Sequence, residues 1–409
     1  MRVVISGMGV ISALGLDRNE FWQALVRGQS GIGPILADVG PVADMGMNQV
    51  RFKNGAAVTG YNPENYFPRK TQSFMDRFAQ FSVIAAREAV TAAGIEWTDE
   101  LRDGSAVITG SCMGGRFTDE IGYWELFHHG RHRVHPLTIP LGMSNAGASH
   151  ISMEFGLHGP AYTFSTACSS SAHAIGNAFW MVRSGAAPLA IAGGSEAPLF
   201  LGGLKAWEAM RVVSPDTCRP FSANRSGMIL GEGAAMMVLE PLDRALARGV
   251  KPLAEIVGFG MSADACHITQ PSAEGASRAI RLALKDGGIA PEQVDYINAH
   301  GTATEANDRM EAAAIRAVFG SHADALPVSS TKSMHGHTLG AAGAIEAAAA
   351  VLAIQNSILP PTMNFTEPDP LCQLDVVPNQ SRPGDVEVAL SESFAFGGLN
   401  AVLAFRKWR

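Results

Sequence analysis

The stretch Phe164-Ser165-Thr166-Ala167-Cys168-Ser169-Ser170-Ser171-Ala172-His173-Ala174-Ile175-Gly176 sets one cysteine among small and hydroxyl-bearing residues. An apolar run, Ala172 to Val182, follows it and predicts a buried helix entered beside Cys168. Unpaired N–H groups and the positive end of the helix dipole favour a thiolate over a thiol at such a start. Cys168 is therefore placed as a nucleophile. Free cysteine also fills cores as a small hydrophobe, and this stretch alone leaves both roles open.

Working outward, strand Leu189 to Gly194 follows the helix, and strand Ala106 to Gly110 precedes it and opens into Ser111-Cys112-Met113-Gly114-Gly115. Apolar strands that end in glycine-rich turns predict an α/β protein with a buried sheet. At the start of the chain, strand Arg2 to Ser6 runs into Gly7-Met8-Gly9 and a helix over Asn19 to Arg27. A dinucleotide fingerprint would need a third glycine where Ser12 stands and an acidic strand end further on, so Gly7-Met8-Gly9 reads as a tight strand-to-helix turn. Residues 35 to 75 read as an irregular excursion ending in the basic turn Arg69-Lys70, before a helix over Asp76 to Ala93. Gly231-Glu232-Gly233 introduces another strand, Ala234 to Leu239.

From about Leu253 the pattern restarts. Strand Ala254 to Val257, helix Ala276 to Gly287, strand Tyr296 to Asn298 and helix Asp308 to Phe319 are followed by strand Pro327 to Ser329 and helix Gly340 to Gln355. Strands Val386 to Leu390 and Ala401 to Phe405 close the chain. An internal duplication is the natural reading, with halves at 1–252 and 253–409.

A chain of 409 residues with 47% hydrophobic and 17% charged content can bury a large core. A net charge of -7 argues against nucleic acid or another polyanion as a general ligand. Five cysteines without a CxxC pair suit reduced thiols and a cytoplasmic enzyme. Gly7, Gly9 and Asp17 break any signal-like opening, and Glu346 interrupts the longest alanine-rich run, so no membrane span is expected. In Phe127-His128-His129-Gly130-Arg131-His132-Arg133-Val134-His135 the arginines raise the cost of a cation, so a solvated loop is predicted and no metal site.

Two turns of the second half supply what a cysteine nucleophile lacks. Asn298-Ala299-His300-Gly301 ends one strand and Lys332-Ser333-Met334-His335-Gly336-His337 follows another, so His300 and His337 could converge on one site. The motifs TACSS, NAHGTAT, STKSMHGHTLGAAG and SFAFGG occur in the order found in β-ketoacyl-acyl carrier protein synthases of the I/II type, and DTCRPFSANRSGMILGEGAAMMVLE and SADACHITQP resemble that family's linking segments. The likeness covers nearly the whole chain.

The resemblance implies the thiolase fold: two similar halves in five layers (α, β, α, β, α) with the site between them. It implies decarboxylative condensation of an acyl group on Cys168 with malonyl-acyl carrier protein, with His300 and His337 assisting decarboxylation. Lys332 matches the active-site lysine and Glu346 the carboxylate behind it; Phe396 matches the gating phenylalanine, whose N–H joins that of Cys168 in an oxyanion hole. Thr302 and Thr304 match contacts to the phosphopantetheine arm, Met113 an acyl-pocket wall shared with Phe396, and Arg69, Lys70 and Arg211 the basic surface that receives acyl carrier protein. No cofactor is implied beyond the carrier's arm. A dimer is implied, either of two copies or with a chain-length-factor homologue, with strand Phe164 to Thr166 paired across the two-fold axis.

His335, Thr338, Glu392, Ala395 and Leu399 depart from the family pattern; Glu392 stands where Asn is usual and Ala395 replaces a glycine beside the gate. With LKAWEAMRVVSPDTCRPFS, they resemble special-purpose synthases of the nodulation or type II polyketide kind. Two rival classes are a noncatalytic chain-length subunit, which lacks the nucleophilic cysteine, and a coenzyme A-dependent thiolase, whose second catalytic cysteine has no match beside Gly397-Gly398.

Overall fold

The computed structural model describes residues 1–35 and 50–409. Part of the irregular excursion expected over 35 to 75, residues 36–49, lies outside the described residues. A ten-stranded sheet organises the chain. Its strands are β1 (Val3–Ser12), β2 (Ala106–Gly110), β3 (Ala161–Phe164), β4 (Ala190–Glu196), β5 (Gly233–Pro241), β6 (Ala254–Ala263), β7 (Tyr296–Asn298), β8 (Val328–Ser329), β9 (Val388–Ala395) and β10 (Leu399–Arg406).

Spatial order from one edge is β3-β2-β4-β5-β1, then β6-β10-β9-β7-β8. Counted from the junction, the two runs have the same order. In each, the edge pair and the next pair are parallel (β3–β2 and β2–β4; β8–β7 and β7–β9) and the last two pairs are antiparallel. The runs join through a short antiparallel pairing of Val3, Val4 and Ile5 with Ile256, Glu255 and Ala254. The duplication expected from the sequence is thus a repeated strand topology.

Six helices matter for the site: α1 (Arg77–Ala93), α2 (Ser170–Ser184), α3 (Leu201–Met210), α4 (Ala273–Gly287), α5 (Glu305–Phe319) and α6 (Ala342–Asn356). Strand alternation shows the layering. On β5, Ala235, Met237 and Leu239 enter a central core with α2 and α6, whereas Ala234, Met236 and Val238 enter an outer core with α1. On β10, Ala401, Leu403 and Phe405 face the same central core, and Val402 and Ala404 face an outer core with α4 and α5. The five layers are α1, the first strand set, α2 with α6, the second strand set, and α4 with α5.

The middle layer explains the composition of the opening stretch. A helix between two sheets and against a second helix has room only for small side chains: a Cβ on Gly343 would lie 2.8 Å from that of Ala172, and one on Gly176 would lie 2.4 Å from the Phe259 ring. The stretch Leu339–Asn356 is apolar and long enough to cross a membrane, but it is a buried core helix of this layer.

One expectation fails at the first strand. β1 does not turn at Gly7-Met8-Gly9 but continues to Ser12. Both glycines lie under α1, where an added Cβ would sit 2.0 Å from Ala89 O and 2.1 Å from Ala85 O. β6 likewise runs past the expected end at Val257, with Gly258 and Gly260 under α4, 2.3 Å from Ala283 O and 2.1 Å from Ala279 O. These glycines permit close helix-on-sheet packing at matching places in the two halves, rather than bending the backbone.

Candidate active site

Cys168 sits in a single 3-10 turn, Ala167–Ser169, that leads directly into α2. Ala167 takes φ +50°, an uncommon backbone state for a residue with a Cβ. The turn is tied down on several sides: Ser170 Oγ donates to Ala167 O at 2.6 Å, Thr166 N–H to Ser170 Oγ at 2.9 Å, and Ser169 Oγ to Leu399 O at 2.8 Å. The last bond joins the Cys168 turn to the first residue of β10, three residues after Phe396. The run of serines in the opening stretch is therefore structural.

The second half delivers the histidines. His300 follows β7, and its N–H and that of Gly301 donate to Glu311 on α5 at 2.6 and 2.7 Å. His337 follows the short helix Lys332–His335; its N–H bonds Ile229 O at 2.6 Å. Cys168, His300 and His337 are all buried, with their reactive atoms within 4.8 Å of one another. The two imidazole rings meet edge to face at 5.4 Å.

Hydrogen bonds fix the tautomer of each ring. The Lys332 ammonium, fully buried, lies 3.3 Å from His300 Nδ1, donates to His300 O at 2.6 Å and pairs with Glu346. An ammonium has only protons to offer, so His300 Nδ1 accepts and Nε2 carries the hydrogen. Leu339 N–H donates to His337 Nδ1 at 3.3 Å, with the same consequence. Burial, with the Lys332 charge adding to it, holds both imidazoles well below the ordinary histidine value. The site therefore holds two neutral rings, each presenting an Nε2–H donor.

Burial also pushes the Cys168 thiol up to about 11, against the pull of Lys332 and of N–H groups of Phe396 and of Cys168 itself. The expectation of a resting thiolate is corrected: here desolvation outweighs the helix start. The same two N–H groups are the pair expected as an oxyanion hole, and each favours negative charge on the sulfur. Burial raises the Glu346 carboxyl to about 7, with Lys332 opposing.

A cavity of about 280 Å³ opens onto Cys168, His300 and His337. Thr302, Thr304 and Phe396 line it, together with Trp207, Met228 and Ile268, which sequence reasoning missed. Phe396 stacks on Trp207 at 6.1 Å, at the end of α3. Thr302 and Thr304 share a hydroxyl bond of 2.8 Å, and Thr304 also caps α5. Met113, expected beside Phe396 in an acyl pocket, instead lines a separate cavity of about 1100 Å³ with Cys112, Tyr123, Trp124 and Phe200. Leu339, Leu230 and Met228 share one hydrophobic cluster with Cys112 and Met113.

Arg69 and Lys70 lie exposed on the short helix Arg69–Gln72, Arg69 paired with Glu64 at 2.9 Å. Arg211 is exposed and follows Met210, a residue lining the catalytic cavity. The histidine-rich segment around 128–135 is an exposed loop. His335 does not line the cavity: Nε2 faces Thr331 Oγ1 at 2.9 Å and Nδ1 faces Gly336 O at 2.8 Å. Two buried carboxylates were missed. Glu311 holds the His300 turn, and Glu196 accepts from Ser111 Oγ and from the N–H groups of Cys112, Met113 and Gly340, at 2.9, 2.8, 3.1 and 3.0 Å. The signal for Glu196 was a lone acid ending an apolar strand; Glu311, in a helix that also carries Glu305 and Asp308, gave none.

Comparison with known proteins agrees with this geometry. Residues 1–245 match the family model "Beta-ketoacyl synthase, N-terminal domain" and residues 253–366 the model "Beta-ketoacyl synthase, C-terminal domain". Nodulation protein E of Rhizobium meliloti (strain 1021) is 47% identical over 408 residues, covering 99% of each chain. The 3-oxoacyl-[acyl-carrier-protein] synthase 2 of Synechocystis sp. is 42% identical over 416 residues, covering 100% of this chain and 98% of the other. Among solved structures, a type II PKS acyl-carrier protein in complex with its ketosynthase bound to the hexaketide superposes with a TM-score of 0.86 at 31% identity, over 100% of this chain and 99% of that one. The layered fold is that of the thiolase-type ketosynthases, and the chain belongs to the β-ketoacyl synthase family.

Proposed function

We propose that the chain is a 3-oxoacyl-acyl carrier protein synthase in which the two halves divide the work. The acyl group is loaded from its carrier onto Cys168: the sulfur attacks the thioester, the carrier's thiolate departs, and the thiol proton leaves with it as the carrier's free thiol, so that both imidazoles stay neutral donors. The developing oxyanion meets the N–H groups of Cys168 and Phe396, a fixed pair in a site that excludes water. Malonyl-acyl carrier protein then enters, loses carbon dioxide, and leaves an enolate whose oxygen is bound by Nε2–H of His300 and His337. The enolate carbon attacks the acyl-enzyme, giving β-ketoacyl-acyl carrier protein and freeing Cys168.

The observation that carries this reading is the paired Nε2–H tautomer. Two neutral donors stabilise an enolate oxygen without protonating the carbon that must attack. Lys332 sets one tautomer and places a positive charge beside the ring, which disfavours a metal ion between Cys168, His300 and His337. The chemistry needs no resident cofactor, since the substrates arrive on the carrier's arm. A degradative thiolase is disfavoured because neither Cys266 nor Cys372 lines the cavity. A noncatalytic partner subunit would not need the three converging groups.

Thr302 and Thr304, in the cavity wall, are assigned to the phosphopantetheine arm, and Phe396 to the gate. Met113 is assigned to an acyl pocket formed by the cavity that it lines. Arg69, Lys70 and Arg211 are assigned to carrier docking. The working division into halves at 1–252 and 253–409 follows the repeated strand order. A dimer is supported by β3, an edge strand of Ala161–Phe164 whose first residues are exposed, and by exposed Ile139, Met143 and Met153 nearby in sequence. Thr166 is not part of that strand, being held by the nucleophile turn. The partner is a second copy or a chain-length-factor homologue, and the assigned compartment is the cytoplasm. The test is intact-mass detection of acyl-Cys168 together with carbon dioxide release from malonyl-acyl carrier protein; wild-type protein that does neither would reject the assignment.

A further inference from the structure

Glu392 is fully buried in β9, between Leu390 and Phe394 on the face that packs toward α4 and α5. Its neighbour Ser393 lies on the opposite face, against α6. β9 runs parallel to β7 with Ser391 opposite Asn298, so Glu392 is abreast of the turn that carries His300. Among the described residues neither carboxyl oxygen has a hydrogen-bond donor.

Among the described residues the charged group facing it is Glu311, on α5. Glu311 is well supplied: His300 N–H, Gly301 N–H and Asn307 Nδ2 donate to it at 2.6, 2.7 and 3.1 Å. Asp308, one turn back on α5, is engaged with Arg225, and Lys332 is engaged with Glu346 and His300. From α4 the surroundings are Ala276, Ala279, Ile280 and Ala283, and from β10 Val402 and Ala404. Among the described residues no cationic side chain is left to balance a second carboxylate.

We propose that Glu392 is a neutral carboxylic acid whose O–H donates to the Glu311 carboxylate, and that this bond positions the turn bearing His300. Two abutting carboxylates in an apolar core cannot both ionise. The charge stays on Glu311, which has the N–H donors, and the proton on Glu392, which has none. A buried acid must place its own hydrogen, and Glu311 is the acceptor in reach. Burial, reinforced by Glu311, pushes the Glu392 carboxyl well above its ordinary value, in agreement. The departure from the Asn usual at this position becomes intelligible, since a neutral acid replaces one donor by another.

The protonation part stands on its own; the positioning part rests on the assignment of His300 to condensation. Three measurements on the full-length protein test them. The infrared spectrum at pH 7 should contain a protonated-carboxyl band that disappears in Glu392→Gln; no difference overturns the neutral acid. Melting curves of wild type and Glu392→Gln should coincide near pH 5 and separate as pH rises, the amide variant becoming the more stable. The sign follows because the native state holds a proton that an unfolded glutamate releases above about pH 4.5. Parallel curves would replace the proton by another explanation and overturn the proposal. Finally, Glu392→Gln should condense within about twofold of wild type, whereas Glu392→Leu should lose about tenfold in carbon dioxide release with Cys168 acylation unchanged. Wild-type turnover in the leucine variant, or equal loss of acylation and decarboxylation, overturns positioning. If wild type never acylates Cys168, the ketosynthase reading fails while the infrared and melting results still decide the proton.

Discussion

The two halves share strand order, strand direction, paired glycines under an outer helix and an alanine-rich central helix, yet they carry different chemistry. The first half places Cys168 at the start of its central helix; the second places His300, Lys332 and His337 around that start. Even the buried acids of the matching strands β4 and β9 differ. Glu196 has four donors and stitches the two halves together through Gly340, whereas Glu392 has none. The scaffold is duplicated because layered packing demands it, and the site is not, because a condensation needs a nucleophile on one side and neutral donors on the other.

The sharpest break would come from removing one half's contribution at a time. Cys168→Ala should abolish acylation and retain some malonyl decarboxylation. His300→Ala and His337→Ala should still acylate but lose condensation by about a hundredfold or more, as for a lost transition-state donor. Intact mass and carbon dioxide release on the same variants check this, and a histidine variant that condenses normally would remove that residue from the site.

Next in size is Lys332→Met, which leaves the fully buried Glu346 without its cation. Breaking such a pair costs roughly 3–5 kcal/mol, so denaturant unfolding at pH 8 should show a clear loss. The loss should shrink as pH falls toward 7, because the buried Glu346 carboxyl, at about 7 with Lys332 lowering it, takes up its proton at higher pH once that cation is gone.

The two electrostatic environments also differ in pH response. Because burial holds the Cys168 thiol at about 11, alkylation by iodoacetamide should rise about tenfold per unit through the neutral range. A plateau below pH 8 would mean that the second half's groups already ionise it. The histidines, held well below their ordinary value, should impose no loss of condensation between pH 7 and pH 6.

The claim that the halves are structurally equal is tested by Gly9→Ala and Gly260→Ala, each of which drives a Cβ to 2.1 Å from a helix carbonyl. Both should destabilise by about 1–3 kcal/mol and by similar amounts; a large disparity would show that one outer helix yields where the other does not. Smallest is Arg211→Glu, which should slow carrier association a few-fold at low salt and hardly at high salt.

Much of the site was legible in order along the chain. Hydroxyl-rich and glycine-rich motifs named Cys168, His300, Lys332 and His337, since each motif carries its own turn. The glycines of β1 and β6 were misread, because a glycine that admits a helix looks, in one dimension, like one that bends a chain. Met113 was assigned with Phe396 to one acyl pocket, and in the folded chain the two residues line different cavities.

The sequence by itself determined the alternation of strand and helix and singled out Cys168, His300 and His337, because these depend on local periodicity and on residue chemistry. Only the tertiary structure decided which imidazole nitrogen bears hydrogen, which charge state Cys168 keeps, and that Glu311 and Glu392 face one another. Those depend on groups far apart in the chain meeting where water is absent, and desolvation is a property of the packed interior.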